Sequence, residues 1–114
     1  PNTRLLFIET PSNPLAQVGD LQAIADIAHA NNALFAVDNT FCTPVLQQPI
    51  KFGADLIIYS STKYIDGQGR ALGGAVVGKD KLVEEITGVK VLARVKKGDT
   101  ALDIDPETII SLYE

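Results

Sequence analysis

The sequence lacks methionine and tryptophan, and it contains one cysteine, one histidine and only 6% aromatic residues. Because Cys42 has no second cysteine to pair with, an internal disulfide bond is excluded, which is typical of a protein in a reducing cytoplasm. Basic residues are also few: the chain has 10 lysines and arginines and 14 acidic residues, which gives a formal net charge of −4. No basic stripe is available to neutralise the phosphates of a nucleic acid, and the sequence predicts no such partner.

Long apolar runs are absent as well. The longest contain about five residues, whereas a helix that spans a bilayer needs roughly 20. No signal-peptide pattern opens the chain, so the sequence predicts no membrane partner and a cytoplasmic location. With 114 residues, 46% of them hydrophobic, the chain is long enough for one domain with a buried core. Its start at a proline, without methionine, indicates a segment of a longer protein.

Short apolar runs alternate with segments of mixed composition along most of the chain. Runs without polar alternation are typical of strands buried on both faces of a parallel sheet. Strands that alternate with helices indicate an α/β fold. The four strand candidates are LLFIE (5–9), ALFAVD (33–38), DLIIYS (55–60) and GGAVVG (73–78).

Helices are predicted between these runs. The first is expected to begin after Asp20, its N-cap, and to end at Asn31 and Asn32. A short helix and a turn are predicted at 43–54, and a further helix at 79–88. The apolar stripe of the first helix comprises Leu21, Ile24, Ala25, Ile27 and Ala28.

Polar side chains follow three of the predicted strands. They occupy residues 9–13, 38–40 and 60–63. In open α/β sheets, ligands bind in the crevice beyond the carboxyl ends of the strands. Carboxylates, an amide, hydroxyls and an amine are therefore expected on one rim of the sheet, where they would suit a small anionic or heteroaromatic ligand.

These groups would have defined roles if the ligand were an aldehyde cofactor. Lys63 would form a Schiff base with the aldehyde, provided that the amine is desolvated enough to lose its proton. Asp38 would pair with the nitrogen of a pyridine ring that serves as an electron sink. The hydroxyls beside the lysine would donate to a phosphate.

Each of these residues also has a structural interpretation, and the residues alone leave both open. Lys63 would otherwise be a solvated surface charge, since loop lysines are mostly exposed. Asp38 would otherwise cap a helix, Ser60 and Thr62 a turn, and Asn13 would be a turn residue between two prolines.

Three motifs then identify a resemblance: ETPSNP (9–14), VDNT (37–40) and SSTK (60–63). In their order and spacing they resemble the Cys/Met-metabolism family of pyridoxal-phosphate enzymes, and the resemblance covers residues 5–78. This family includes cystathionine γ-synthases, γ-lyases and homoserine-ester sulfhydrylases. KYIDGQGR (63–70) is most similar to the sulfhydrylases that use the succinyl ester. The resemblance implies part of the large domain of the aspartate-aminotransferase-like fold, a mostly parallel sheet with flanking helices.

The resemblance also implies a role for each matching residue. Lys63 would be the Schiff-base lysine and the base that moves protons on the substrate. Asp38 would pair with the pyridinium nitrogen, and Asn13 would meet the phenolic oxygen of the cofactor. Ser60 and Thr62 would hold the phosphate. The cofactor implied is pyridoxal 5′-phosphate, and no metal is expected.

The implied activity is γ-replacement on a homoserine ester by sulfide or a thiol, as in methionine biosynthesis, in a homo-oligomer, expected to be a tetramer. Groups that complete such a site would lie before Pro1 and after Glu114, so little turnover is expected from this chain. Cystathionine γ-synthase or γ-lyase activity is the nearest alternative, and a non-catalytic remnant is another. A receiver-like signalling module with Asp38 as phospho-acceptor is disfavoured for two reasons. Lys63 follows Ser60 too closely in the sequence, and Glu9 has no second acidic residue beside it with which to hold magnesium.

Two regions are expected along the chain. Residues 1–88 would form the central part of the cofactor-binding α/β domain. Residues 89–114 are unlike the family and predict a strand, a turn and a helix capped by Asp105 with Pro106 at its first position. Their origin is left open.

Overall fold

The computed structural model describes residues 2–88, and the predicted strand, turn and helix at 89–114 lie outside them. A single turn of 3-10 helix occupies Pro49–Phe52, and a π-helical turn occupies Ser61–Ile65. The main elements follow the order β1 (Leu5–Glu9), α1 (Leu21–Ala30), β2 (Leu34–Asp38), α2 (Thr43–Leu46), β3 (Leu56–Ser60), β4 (Gly74–Gly78) and α3 (Asp80–Thr87).

The four strands form one sheet in the order β1-β2-β3-β4. β1, β2 and β3 are parallel, and β4 runs antiparallel to β3, which confirms the predicted α/β fold with a mostly parallel sheet. Glu9 pairs with Asp38 in register, and Asp38 pairs with Ile58. The carboxyl ends of the three parallel strands therefore meet at one edge, as the sequence predicts for the candidate site.

The core lies between one face of the sheet and α1. β2 and β3 are largely buried on both faces, as predicted. The prediction is wrong for the two edge strands. In β1, Leu5 and Phe7 are 48% and 55% exposed on the face that α1 does not cover, and in β4, Val76 and Val77 are 41% and 46% exposed. The stripe of α1 is also narrower than predicted, since Ile27 is 59% exposed. The buried core cluster contains Leu21, Ala25, Ala28, Ala33, Phe35, Val37, Ala54, Ile57 and Tyr59.

Both predicted ends of α1 are confirmed. The side chain of Asp20 accepts a hydrogen bond from the backbone N–H of Ala23 at 3.0 Å, which satisfies a donor of the first turn. At the other end Asn31 is the C-cap, and its side-chain amide donates to the carbonyl of Ile27 at 2.8 Å. These local caps fix where the crossover helix between β1 and β2 begins and ends.

Asp55 joins the amino ends of β2 and β3 to the end of α1. Its backbone N–H donates to the carbonyl of Phe35 at 2.8 Å, and its carboxylate accepts from the N–H of Phe35 at 2.9 Å. The same carboxylate oxygen lies 2.9 Å from Nε2 of His29, which the sequence places at the end of α1 without a function. One carboxylate thus links three elements at the edge of the sheet opposite the candidate site.

We expect Asp55→Ala to lower the free energy of unfolding by about 2 kcal/mol, because it leaves the buried N–H of Phe35 without its acceptor. Asp26→Ala is the matched control: Asp26 is exposed on α1, and in the described region its carboxylate accepts a hydrogen bond only from the side chain of Gln22. Its cost should stay within about 0.5 kcal/mol. Urea unfolding of both variants measures the difference, and equal losses would contradict the role of Asp55.

α3 lies outside the compact unit that contains the sheet. Its eight residues, Asp80–Thr87, confirm the helix predicted at 79–88 to within one residue at each end. Across residues 2–88, no helix has the length and apolar character needed to cross a membrane.

Candidate active site

A cavity of about 520 Å³ opens at the carboxyl ends of β1, β2 and β3. Its volume falls within the range of roughly 300–1,000 Å³ that is usual for small-molecule sites. It brings together four of the five residues that the sequence predicts for the site. The lining residues are Glu9, Asn13, Asp38, Thr40, Phe41, Ser60, Lys63, Tyr64, Gly67 and Gly69.

Asp38 and Ser60 lie at the ends of adjacent parallel strands. The carboxylate of Asp38 accepts a hydrogen bond from the backbone N–H of Thr40 at 2.9 Å, which closes a tight local turn. Asp38 does not cap α2, because the N-cap of that helix is Cys42. The hydroxyl of Thr40 in turn accepts the N–H of Ser60 at 2.8 Å. Thr40 therefore ties the two strand ends together beside the cavity.

Thr62 is the one predicted site residue that does not line the cavity. Its hydroxyl accepts the N–H of Gly73 at 3.0 Å and donates to the carbonyl of the same residue at 3.3 Å. The N–H of Ser61 also donates to the carbonyl of Gly73, at 2.9 Å. These bonds close the base of the loop that leads from β3 to β4, and they occupy the hydroxyl predicted to hold a phosphate.

Lys63 lines the cavity from the π-helical turn after β3. Its backbone angles, φ −85° and ψ −111°, interrupt the helical geometry of that turn. The side chain is solvent-exposed, so the desolvated amine expected from the sequence is not found in this chain. Lys63 therefore faces the cavity as an accessible amine.

Asn13 and Glu9 form the β1 side of the cavity. The carboxylate of Glu9 accepts the backbone N–H of Asn13 at 3.1 Å, which folds the loop after β1 back toward the strand end. Glu9 is a second carboxylate in the cavity, paired in register with Asp38. The sequence places Glu9 on the rim but assigns it no role; its position at a strand end was the available signal.

Two aromatic side chains complete the wall, and neither was predicted as part of the site. The rings of Phe41 and Tyr64 are 5.8 Å apart between centroids and inclined by 35°. Tyr64 directly follows Lys63, and Phe41 lies three residues after Asp38. Their proximity to the predicted residues could have indicated them, but only the packing of the two loops brings the rings together.

The turn after Lys63 carries two glycines into the cavity wall. Gly67 and Gly69 both have φ of +69°, a left-handed backbone conformation that residues other than glycine rarely adopt. The carboxylate of Asp66 accepts the N–H of Arg70 at 2.9 Å and that of Gln68 at 3.2 Å. The turn is thus closed around the half-buried Asp66.

This arrangement predicts a pH-dependent turn. Hydrogen bonds from the backbone N–H groups, that of Arg70 foremost, hold the pKa of Asp66 below its ordinary value of 3.8. Because the pKa is lowered in the folded chain, the stabilisation is present above pH 3.8 and is lost as the pH falls through the lower folded value. We expect the NMR shift of the Arg70 amide to titrate with a midpoint below 3.8, and Asp66→Asn to remove that titration. A midpoint at or above the ordinary value would contradict the proposed bonding.

The model of a family described as Cys/Met metabolism PLP-dependent enzyme matches residues 1–100. An O-succinylhomoserine sulfhydrylase of Pseudomonas aeruginosa is 61% identical over 88 residues, which cover 77% of this chain and 22% of that protein. A cystathionine gamma-synthase of Mycobacterium bovis is 47% identical over 85 residues, 75% of this chain and 22% of that protein. The chain therefore spans less than a quarter of the length of these relatives.

Solved structures give the same result for the fold. A methionine gamma lyase from Micromonospora echinospora superposes with a TM-score of 0.69 and 43% identity, over 77% of this chain and 26% of that one. A cystathionine gamma synthase from Xanthomonas oryzae, solved with aminoacrylate and cysteine, superposes with a TM-score of 0.68 and 49% identity, over 72% of this chain and 21% of that one. The predicted resemblance and fold are confirmed.

Proposed function

Because this chain belongs to the Cys/Met metabolism family of pyridoxal-phosphate-dependent enzymes, we propose that it is a segment of a γ-replacement enzyme and carries the cofactor-anchoring half of the active site. One observation carries the proposal: an amine, a carboxylate, a hydroxyl and an amide line one cavity at the carboxyl edge of a parallel sheet. These groups are Lys63, Asp38, Ser60 and Asn13. Family membership also excludes the receiver-like alternative.

The donor set fits the cofactor. An amine is needed for its aldehyde, a carboxylate for its protonated ring nitrogen, and hydroxyl and amide donors for its phosphate and phenolic oxygens. We propose that Lys63, Asp38, Ser60 and Asn13 fill these roles in that order. Thr62 would share the phosphate with Ser60, which requires its hydroxyl to exchange the Gly73 backbone for the phosphate.

When bound, pyridoxal phosphate supplies an electron sink beside the α-carbon of an amino-acid substrate. Asp38 would keep the ring nitrogen protonated, because a carboxylate beside it stabilises the charged form. The free amine Nζ of Lys63 would move protons between the α- and β-carbons of the substrate: it would remove one from the β-carbon before the γ-substituent leaves and return one there after the incoming group has added. Phe41 and Tyr64 would limit access of water on the loop side of the cavity.

For the whole protein we propose γ-replacement on a homoserine ester, with sulfide or a thiol as the incoming group. The 61% identity with an O-succinylhomoserine sulfhydrylase favours the succinyl ester and a place in methionine biosynthesis. The alternatives are cystathionine γ-synthase or γ-lyase activity, since relatives with those reactions are also similar. A tetrameric assembly and a cytoplasmic location are parts of the proposal, as is the division into a cofactor-binding region at 1–88 and an atypical tail at 89–114.

Titration of the 114-residue chain with pyridoxal phosphate, followed by visible absorbance, tests the proposal. We expect saturable binding with a changed cofactor spectrum, and slow or no conversion of O-succinylhomoserine and sulfide. The absence of saturable binding would leave the chain a non-catalytic remnant. A fast sulfhydrylase rate would show that the chain is complete as a catalyst and contradict the half-site proposal.

A further inference from the structure

A buried hydrogen-bond network lies directly behind the cavity, and its members are residues for which the sequence predicts no functional role. Thr10, Asn39 and Tyr59 are 1%, 0% and 6% exposed. Each is the chain neighbour of a cavity residue: Thr10 follows Glu9, Asn39 follows Asp38, and Tyr59 precedes Ser60. Neighbouring residues of an extended chain point to opposite sides. At the end of each of the three parallel strands, one residue therefore lines the cavity and its neighbour in the chain is a buried polar residue of the network.

Asn39 is the centre of this network. Its side-chain nitrogen carries two protons and lies within hydrogen-bond distance of three acceptors that share them: the hydroxyl of Tyr59 at 3.1 Å and the carbonyls of Thr43 and Gln47 at 3.1 and 2.8 Å. Its side-chain oxygen accepts from the amide of Gln47 at 2.8 Å. Its backbone N–H donates to the carbonyl of Ile58 in β3 at 2.9 Å. The amide is thus bonded to α2, the segment after it, and β3.

Gln47 extends the network to β1. Besides its bond to Asn39, its side-chain nitrogen donates to the carbonyl of Thr10 at 2.8 Å. The hydroxyl of Thr10 accepts the N–H of Gly19 at 2.9 Å, which fixes the loop that returns from the cavity to α1. Two side-chain amides consequently connect the ends of all three parallel strands, and none of the buried side-chain polar atoms in the described part of the chain lacks a partner.

We propose that Asn39 and Gln47 are positioning residues that set the separation of the cavity groups on β1, β2 and β3. The inference rests on the proposed function, because those groups are the ones proposed to hold the cofactor. The physical reason is that the Asn39 amide is bonded on both its nitrogen and its oxygen and the Gln47 nitrogen on two acceptors. Such groups tolerate little displacement, since a buried polar group without a partner is costly. A shift of one strand end would break these bonds, so the network holds Asp38 and Ser60 at a fixed spacing.

Gln47→Met tests the proposal, because it keeps the length of the side chain but removes both donated bonds. We expect the dissociation constant of pyridoxal phosphate to rise about tenfold, the equivalent of roughly 1.4 kcal/mol. Tyr59→Phe, which removes one acceptor from Asn39, should raise it about threefold. Asp55→Ala is the control: it destabilises the sheet at the opposite edge and should change the constant less than about twofold.

A second measurement does not need the cofactor. Hydrogen exchange of the Ser60 amide, which bonds the hydroxyl of Thr40 beside Asp38, is compared with that of the core amide of Val37 in the same chain. Global unfolding exposes both amides equally, so a loss of global stability alone cannot raise the ratio of the Ser60 rate to the Val37 rate. We expect this ratio to rise at least about fivefold in Gln47→Met and not to rise in Asp55→Ala.

The outcomes separate the two proposals. If the unaltered chain does not bind pyridoxal phosphate but the exchange ratio rises in Gln47→Met, the proposed function fails while the positioning role is supported. If the unaltered chain binds and Gln47→Met changes neither the exchange ratio nor the dissociation constant, the positioning role is overturned. It is equally overturned if Asp55→Ala weakens binding as much as Gln47→Met does.

Discussion

Replacing Lys63 with alanine is expected to abolish specific covalent attachment of pyridoxal phosphate to the chain. After incubation with the cofactor and reduction with borohydride, peptide mapping of the unaltered chain should place the label on residue 63. In Lys63→Ala the total label should fall at least about tenfold, to the level of scattered reaction with surface lysines. The reason is positional: Lys63 is an accessible amine on the wall of a cavity that also holds Asp38, Ser60 and Asn13.

Lys51→Ala is the matched control for this experiment. Lys51 is also exposed, but it lies in the 3-10 turn at Pro49–Phe52 and does not line the cavity. Its replacement should leave the label on Lys63 unchanged. Equal labelling of Lys51 and Lys63 in the unaltered chain would mean that the cavity does not select its lysine.

The second large effect is expected from Asp38→Asn. The amide keeps an oxygen that can accept the N–H of Thr40, so the local turn is preserved while the negative charge is lost. A hydrogen bond to a charged group is worth about 1.5–3 kcal/mol, so the dissociation constant of pyridoxal phosphate should rise about 10- to 100-fold. Absorbance titration of the variant measures the change.

Glu9→Gln separates a specific partner of the ring nitrogen from a general effect of negative charge. Glu9 lines the same cavity and pairs in register with Asp38, and glutamine keeps an acceptor for the N–H of Asn13. We expect Glu9→Gln to change the dissociation constant less than about threefold. If both substitutions weaken binding equally, Asp38 has no special role toward the ring nitrogen.

The variants of Lys63 and Asp38 together also distinguish the half-site proposal from a non-catalytic remnant. A remnant that keeps the family's core without its chemistry would retain the sheet and the buried network but would bind the cofactor without preference for these two residues. In a half-site, replacement of Asp38 would weaken binding of the cofactor, and replacement of Lys63 would abolish its covalent attachment. Stability of the variants, measured by urea unfolding, should stay close to that of the unaltered chain because both side chains lie on the cavity wall.

Much of the architecture follows from local sequence. The strands at 5–9, 34–38 and 56–60 are apolar runs closed by polar residues, and Asp20 and Asn31 cap α1 through bonds that span three or four residues. Such features depend on near neighbours in the chain, so composition and spacing predict them. The exposure of β1 could not be predicted from local sequence, because burial of Leu5 and Phe7 depends on what covers the outer face of the sheet.

The candidate site divides in the same way. The sequence determined which residues end the strands, and with three motifs it determined the family and the identity of Lys63, Asp38, Ser60 and Asn13 as candidates. Tertiary structure alone decided that Thr62 bonds Gly73, that Phe41 and Tyr64 form one wall, and that Asn39 and Gln47 link three strand ends. Those contacts join residues distant in the chain, or depend on where a loop packs, and a side chain's hydrogen-bond partner is fixed only when folding brings the two groups within about 3 Å.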